Sequence, residues 1–239
     1  MNTNKNSYTL IYATVMVIIV ALMLALVSSS LKGIQTANVE LDKKKQILSS
    51  LNINLEGQDA AALYDKYIVK ELVINVKAEV LSEVKGDAFQ LDYIKELAKP
   101  VEDRKLPLYI ANVDGATKYI VPLRGAGLWG PIWGYIALNE DKNTVYGTFY
   151  SHASETPGLG AEIAQTGFQQ EFVGKRIIND KNEFVSIAVM KPGQVAENQD
   201  QVDGISGGTI TSKGVEKMLL TCIGQYEAYL KNSNGGTEE

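Results

Sequence analysis

Twenty consecutive residues without a charge, Tyr8 to Val27 (YTLIYATVMVIIVALMLALV), constrain this chain more than any other feature. Wound as a helix they reach about 30 Å, the hydrocarbon thickness of a bilayer. Isoleucine, valine and leucine occupy the whole circumference, so no polar stripe is left to face water. Two rivals fit less well. A cleaved signal peptide has an apolar core of roughly 7–15 residues before a small-residue cleavage site. Ser28-Ser29-Ser30 offers small residues, but the run before it is too long. A buried core helix that is apolar on every face is the weaker rival. The segment reads as a membrane anchor.

Beyond the anchor the chain is acidic. Lys5 is the only charged side chain before residue 32, and the 208 residues from Lys32 onward carry 22 basic and 28 acidic side chains, a net −6. Phosphate backbones are held by an excess of Lys and Arg, so a nucleic-acid partner is not expected. Lys5 on one side of the span and Lys32 with Lys43-Lys44-Lys45 on the other leave the orientation undecided. The single cysteine (Cys222) and single histidine (His152) exclude a zinc site, an iron–sulfur cluster or a disulfide within the chain. No CxxCH haem attachment is present either.

Periodicity organises the rest. Ile34, Leu41, Ile47, Leu48 and Leu51 recur at roughly helical spacing and suggest an amphipathic helix leading away from the bilayer. A second helical patch covers Ala60 to Tyr67. In 69–84, Leu72, Ile74, Val76, Ala78 and Val80 alternate with mostly polar residues and predict a half-buried strand. Gln90 to Ala98 predicts a short helix stopped by Pro100. Strand-like runs come next at Leu106–Val113, Tyr119–Leu123, Ile132–Leu138, Thr144–Tyr150 and Glu183–Met190, and residues 139–143 read as a hairpin loop. Val215, Met218, Leu219, Cys222, Ile223, Tyr226 and Leu230 line one face of a last helix. The fold class is α+β, with a mostly antiparallel sheet behind a single N-terminal transmembrane helix. The expected boundaries are a flank (1–7), the transmembrane helix (8–27), a helical connector (28–58), a folded domain (59–231) and a disordered tail (232–239).

Three glycine-rich motifs carry the question of chemistry. Gly125-Ala-Gly-Leu-Trp-Gly130 matches GxGxxG, but a strand-like run comes after it where a dinucleotide site needs a helix. It reads as a glycine-rich strand connection. Gly204-Ile-Ser-Gly-Gly208 matches GxSxG, the nucleophile elbow. The residues before it, Gln194–Gln201, look like a loop, and His152 precedes the serine, the wrong order for an α/β-hydrolase. A membrane-anchored serine hydrolase reacting at Ser206 stays as a rival, since geometry rather than order defines a triad. The third reading takes Asp203 to Ser212 (DGISGGTITS) as the lead-in to the last helix. Small residues let backbone N–H groups approach an anion, and a helix start adds unpaired N–H groups and a positive dipole end. Ser206, Thr209, Thr211 and Ser212 add hydroxyls, and Lys213 a cation. An ordinary N-cap by Thr211 or Ser212 fits the same spacing.

That segment closely resembles the Asp-x-x-Ser-Gly-Ala-Thr-x-Thr-Ser signature of FMN-binding domains in respiratory membrane complexes. Ser206-Gly207-Gly208-Thr209 matches it, with Gly208 where alanine is usual. Gly127-Leu128-Trp129-Gly130, Gly134-Tyr-Ile-Ala-Leu138 and Glu155-Thr156-Pro157-Gly158-Leu159-Gly160 are similar to the C-subunit family of sodium-translocating NADH:quinone oxidoreductases. The related G-type member of the Rnf electron-transport complex shares the flavin motif and is the alternative.

The resemblance implies that residues 59–231 are an FMN-binding domain and that Thr209 carries FMN as a covalent phosphoester. It implies flavin contacts from Asp203, Ser206, Gly207, Gly208, Thr211, Glu155, Thr156, Gly158, Leu159, Gly160, Leu128 and Trp129. Asp203 would serve recognition by a flavin transferase during maturation. No metal ligand is implied. The expected setting is a bacterial inner membrane, with lipid around the single span and the flavin domain on the periplasmic side. Other subunits of the complex would deliver electrons originating in NADH and pass them on to quinone.

Overall fold

The computed structural model describes residues 6–232; residues 1–5 of the expected flank and 233–239 of the expected tail lie outside the described residues. The chain divides after Lys43 into two units. The first holds most of α1 (Asn6–Ser50), the one helix among the described residues long and apolar enough to cross a membrane. Its apolar side chains are bare: Leu10 is 70% exposed and Leu24 65%. A helix suits lipid because its N–H and C=O groups pair internally. The hydroxyls do likewise, with Thr14 Oγ1 donating to Leu10 O and Ser30 Oγ to Leu26 O, both at 2.8 Å.

The second unit begins with the last turns of α1, where Ile47 and Leu48 are buried. Asp59 then caps α2 (Ala60–Tyr67) by accepting the Ala61 N–H. The stretch expected as one strand over 69–84 is a hairpin instead. β1 (Ile68–Ile74) turns at Asn75 into β2 (Val80–Ser82). Asn75 Oδ1 accepts the N–H groups of Lys77 and Glu79 at 3.0 Å each, and Ala78 takes a φ of 67°. Apolar alternation reads the same through such a turn; Asn75 was the signal that broke it. The helix expected over 90–98 is likewise two pieces, α3 (Asp87–Gln90) and α4 (Tyr93–Leu97), because Asp92 leaves the helix to accept the Lys95 N–H.

The next four strands fall where their patterns place them, the first with the expected bounds, the next two longer, and the last starting one residue later and running two further. They are β3 (Leu106–Val113), β4 (Ala116–Ala126), β5 (Pro131–Leu138) and β6 (Val145–His152), with residues 139–143 joining the last two. Together with the first hairpin they form one six-stranded antiparallel sheet in the order β2-β1-β3-β4-β5-β6. The β6 edge is covered by the chain after α5 (Thr166–Gln170): Val145 N donates to Lys175 O and Gly174 N to Val145 O. Of the strand expected at Glu183–Met190, only β7 (Ala188–Met190) forms. It pairs in parallel with β8 (Gln201–Asp203), which starts within the stretch read as loop.

The last helix is also divided, into α6 (Thr209–Gly224) and α7 (Glu227–Lys231). Between them Tyr226 is fully buried and its hydroxyl donates to Pro107 O at 2.9 Å. One face of the sheet (Leu108, Val121, Leu123, Ile132, Ile136) closes against Val215, Met218, Leu219, Cys222 and Ile223 of α6. Period-two alternation puts Tyr109, Ala111, Ile120, Tyr135 and Ala137 on the other face, and these too are buried. Trp133 Nε1, on that side, donates to Gln46 Oε1 at 3.2 Å. With both faces covered, α6 is fixed along its length and its first turn is held at one end of the sheet.

Candidate functional site

The first turn of α6 is where the signature segment lies. Leaving β8, Gly204 N donates to Met190 O at 2.6 Å and Ile205 N to Ser212 Oγ at 3.0 Å. Gly207 takes a φ of 74°, and Gly208 stands at the N-cap with no side chain capping the helix. The expectation of a Thr211 or Ser212 cap is corrected here: both lie within the first turn and are buried. Their hydroxyls are spent elsewhere, Ser212 on Ile205 and Thr211 on Glu155. Thr209, at the first helical position, is exposed, as are Asp203, Ser206 and Gly207.

An α-helix start leaves its first N–H groups without partners in the helix, and it carries a partial positive charge. The first turn of α6 carries no acidic residue of its own, and the Glu155 carboxylate that reaches it from another loop is taken up by the Thr211 hydroxyl. A cavity of about 160 Å³ opens beside it, lined by Met190, Lys191, Pro192, Ile205, Ser206 and Thr209 among others. Lys213 also borders it, but its Nζ is paired with Glu216 Oε2 at 2.7 Å. Lys191 was not singled out from the sequence; its place just after β7, in Lys191-Pro192-Gly193, was the signal available.

The other motif segments converge on the same helix start. Gly125-to-Gly130 covers the end of β4 and the β4–β5 hairpin connection, closed by Gly127 N donating to Gly130 O at 2.8 Å, and it leads into a strand rather than a helix. Its tip presents Leu128, 50% exposed, and Trp129, 66% exposed. Residues 155–160 form a tight loop in which Leu159 N and Ala161 N both donate to Thr156 O at 3.1 Å. Thr156 and Gly158 are exposed, Gly160 is buried, and Leu159 lies against Gly207.

Glu155 joins the segments. It is buried, with Oε1 accepting the Trp129 N–H at 2.8 Å and Oε2 accepting the Thr211 hydroxyl at 2.6 Å. Burial alone would raise its pKa. The Thr211 hydroxyl, the Trp129 N–H, nearby His152 and the Gly130 N–H outweigh it and hold the carboxyl below its ordinary value. His152 itself accepts the Glu155 N–H on Nδ1 at 3.2 Å. Among the described residues no hydrogen bond links His152 to Ser206, so the contacts of a serine–histidine pair are not made there.

The donor set fits a phosphate ester. An exposed threonine sits at an uncapped helix start, glycines precede it, and exposed apolar side chains stand on the neighbouring loops to cover a ring. Comparison with known proteins supports an FMN-binding domain. Residues 127–224 match the FMN-binding domain family. The chain is 33% identical to the C subunit of the Na(+)-translocating NADH-quinone reductase from Haemophilus ducreyi, over 93% of this chain and 91% of that one. It is 30% identical to the corresponding protein of Pseudomonas aeruginosa over 98% of each. The crystal structure of the C subunit from Parabacteroides distasonis superposes with a TM-score of 0.79 at 47% identity, covering 85% of this chain and 98% of that one. NqrC of Shewanella oneidensis, 23% identical, shares the fold at a TM-score of 0.69, over 81% and 97%. The chain belongs to the C-subunit family of Na(+)-translocating NADH-quinone reductases.

Proposed function

We propose that Thr209 carries FMN through a phosphoester and that the chain is the electron-carrying C subunit of a membrane sodium-translocating NADH:quinone reductase. The observation that carries this reading is the exposed Thr209 at the uncapped start of α6. Bound FMN supplies the redox chemistry that a chain with one cysteine and one histidine lacks. The residues supply position. The first-turn N–H groups and Lys191 lie where a phosphate on Thr209 needs neutralising, and Ser206 offers a further donor. Leu128, Trp129 and Leu159 provide apolar cover for a flat ring. Asp203, exposed ahead of the turn, serves recognition by the flavin transferase.

In the assembled complex the protein accepts electrons that originate in NADH from partner subunits and hands them on toward quinone. Tyr8–Val27 holds it in the bacterial inner membrane, with the flavin domain on the periplasmic side. The test is the intact mass of denatured protein made together with a flavin transferase, followed by peptide mapping. Thr209→Ala is expected to abolish the FMN mass and, in the complex, to stop NADH-driven quinone reduction. Thr211→Ala should keep the FMN. Flavin mapped to Thr211, or full quinone reduction by the Thr209→Ala complex, would overturn the reading.

A further inference from the structure

Glu155 belongs to a loop that borders the site, yet it is only 5% exposed and both carboxylate oxygens are already engaged. Taking a carboxylate out of water is tolerated when its oxygens are paired. Here the partners come from remote parts of the chain. The Trp129 N–H lies 26 residues before Glu155, in the β4–β5 connection, and the Thr211 hydroxyl 56 residues after it, in α6. A third hydrogen bond, from the Glu155 N–H to His152 Nδ1, anchors the residue to the end of β6. The space around the carboxylate is shaped for it. A Cβ on Gly160 would overlap Glu155 Oε2 and come within 2.5 Å of Thr211 Oγ1, so a side chain there would have to displace the pair.

We propose that Glu155 is a positioning residue, an anionic clasp that fastens the Leu128-Trp129 tip and the Thr156–Gly160 loop onto the first turn of α6. The clasp rests on the reading of Thr209 as the flavin attachment point. It acts through the Trp129 N–H and the Thr211 hydroxyl, groups of the chain itself, so the chain alone sets the walls of the flavin site. Pre-setting matters because ordering two loops at the moment of attachment would cost conformational entropy each time. It also separates the roles of the two threonines. Thr209 is exposed and free to be modified, while Thr211 is buried and its hydroxyl is committed to the clasp.

The experiment is hydrogen exchange on the unmodified chain in detergent, read by mass spectrometry on peptides covering 126–130, 155–161 and 209–213. It is paired with the rate of FMN attachment by a flavin transferase supplied with FAD. Hydrogen bonds to a charged group are strong enough that losing one should speed local exchange about ten- to a hundredfold. Glu155→Ala is expected to lose protection in the first two segments, keep it in β3, β4 and β5, and slow attachment by a similar factor. Thr211→Val, which deletes one hydroxyl with little change of shape, should loosen the 155–161 segment in the same way. The double variant should be no worse than Glu155→Ala, because the two side chains act as one contact. Glu155→Gln should recover most of the protection, its oxygen taking the Trp129 N–H and its amide meeting the Thr211 hydroxyl. Unchanged exchange at 126–130 in Glu155→Ala would overturn the clasp. So would a uniform loss across the sheet, additive effects in the double variant, or an unchanged attachment rate in both single variants. Exchange is measured before attachment, so the clasp can fail while the Thr209 assignment stands, and the reverse.

Discussion

Glu155 shows what a single residue adds to this fold and also why it was hard to read. The sequence exposes the Glu155–Gly160 segment through resemblance, and the Asp203–Ser212 segment through both resemblance and the chemistry of a helix start. Nothing in either spacing says that a carboxylate in one pairs with a hydroxyl in the other, because that contact spans 56 residues and depends on the sheet between them. The same holds for Lys213. Its place beside the signature offered a cation that a solvated lysine explains as well; the structure pairs it with Glu216 and lines the same cavity with Lys191, which the spacing did not point to. A pH dependence belongs at this scale. Glu155 has a carboxyl held below its ordinary value when folded, so its contribution to stability is present above the unfolded glutamate value of about 4.3 and is lost as pH falls through the folded one. Urea unfolding of wild type and Glu155→Gln should therefore differ most near neutral pH and converge in acid. A gap that widened on acidification would show the carboxylate to be strained rather than stabilised.

Among the elements, the strands β3 to β6 were legible because each pairs period-two apolar residues with a clear turn. The short elements were not. Asn75, Asp92 and Tyr226 each end a pattern whose apolar spacing continues past them. The GxGxxG match is explained at this scale as well. Gly125 lies in β4 beneath α6, and a Cβ there would come 2.8 Å from Met218 Cβ, which is anchored to the helix backbone and cannot swing away. The glycine sets how closely helix and sheet approach. Gly125→Ala is expected to destabilise the domain by about 1–3 kcal/mol through overpacking, seen as a lower urea midpoint with an unchanged slope. Cys222, whose thiol donates to Arg124 O at 3.3 Å in the same helix–sheet layer, is pushed to higher pKa by burial and should react with thiol reagents only on unfolding.

For the whole molecule, the chief prediction concerns where the chain can be cut. Ile47, Leu48 and Leu51 are at most 1% exposed and belong to the second unit, although they precede the first sheet strand by many residues. Deleting residues 1–31 should therefore release a soluble domain that still accepts flavin, since it removes the span and keeps these side chains. Deleting residues 1–58 should give an unstable one, because burying three large apolar side chains is worth several kcal/mol. Fractionation without detergent, followed by thermal melting of each truncation, separates the two outcomes; equal stability would mean that the end of α1 packs without contributing. The outer edge of the sheet has a further consequence. β2 offers only three residues of unpaired backbone, with Lys77 and Glu79 before it and Glu83 and Lys85 after it. Proteins confined to a bilayer meet one another at high local density and in similar orientation, the conditions under which open sheet edges zip into ribbons. A stub this short, fenced by charges of both signs, gives an incoming strand too little to hold.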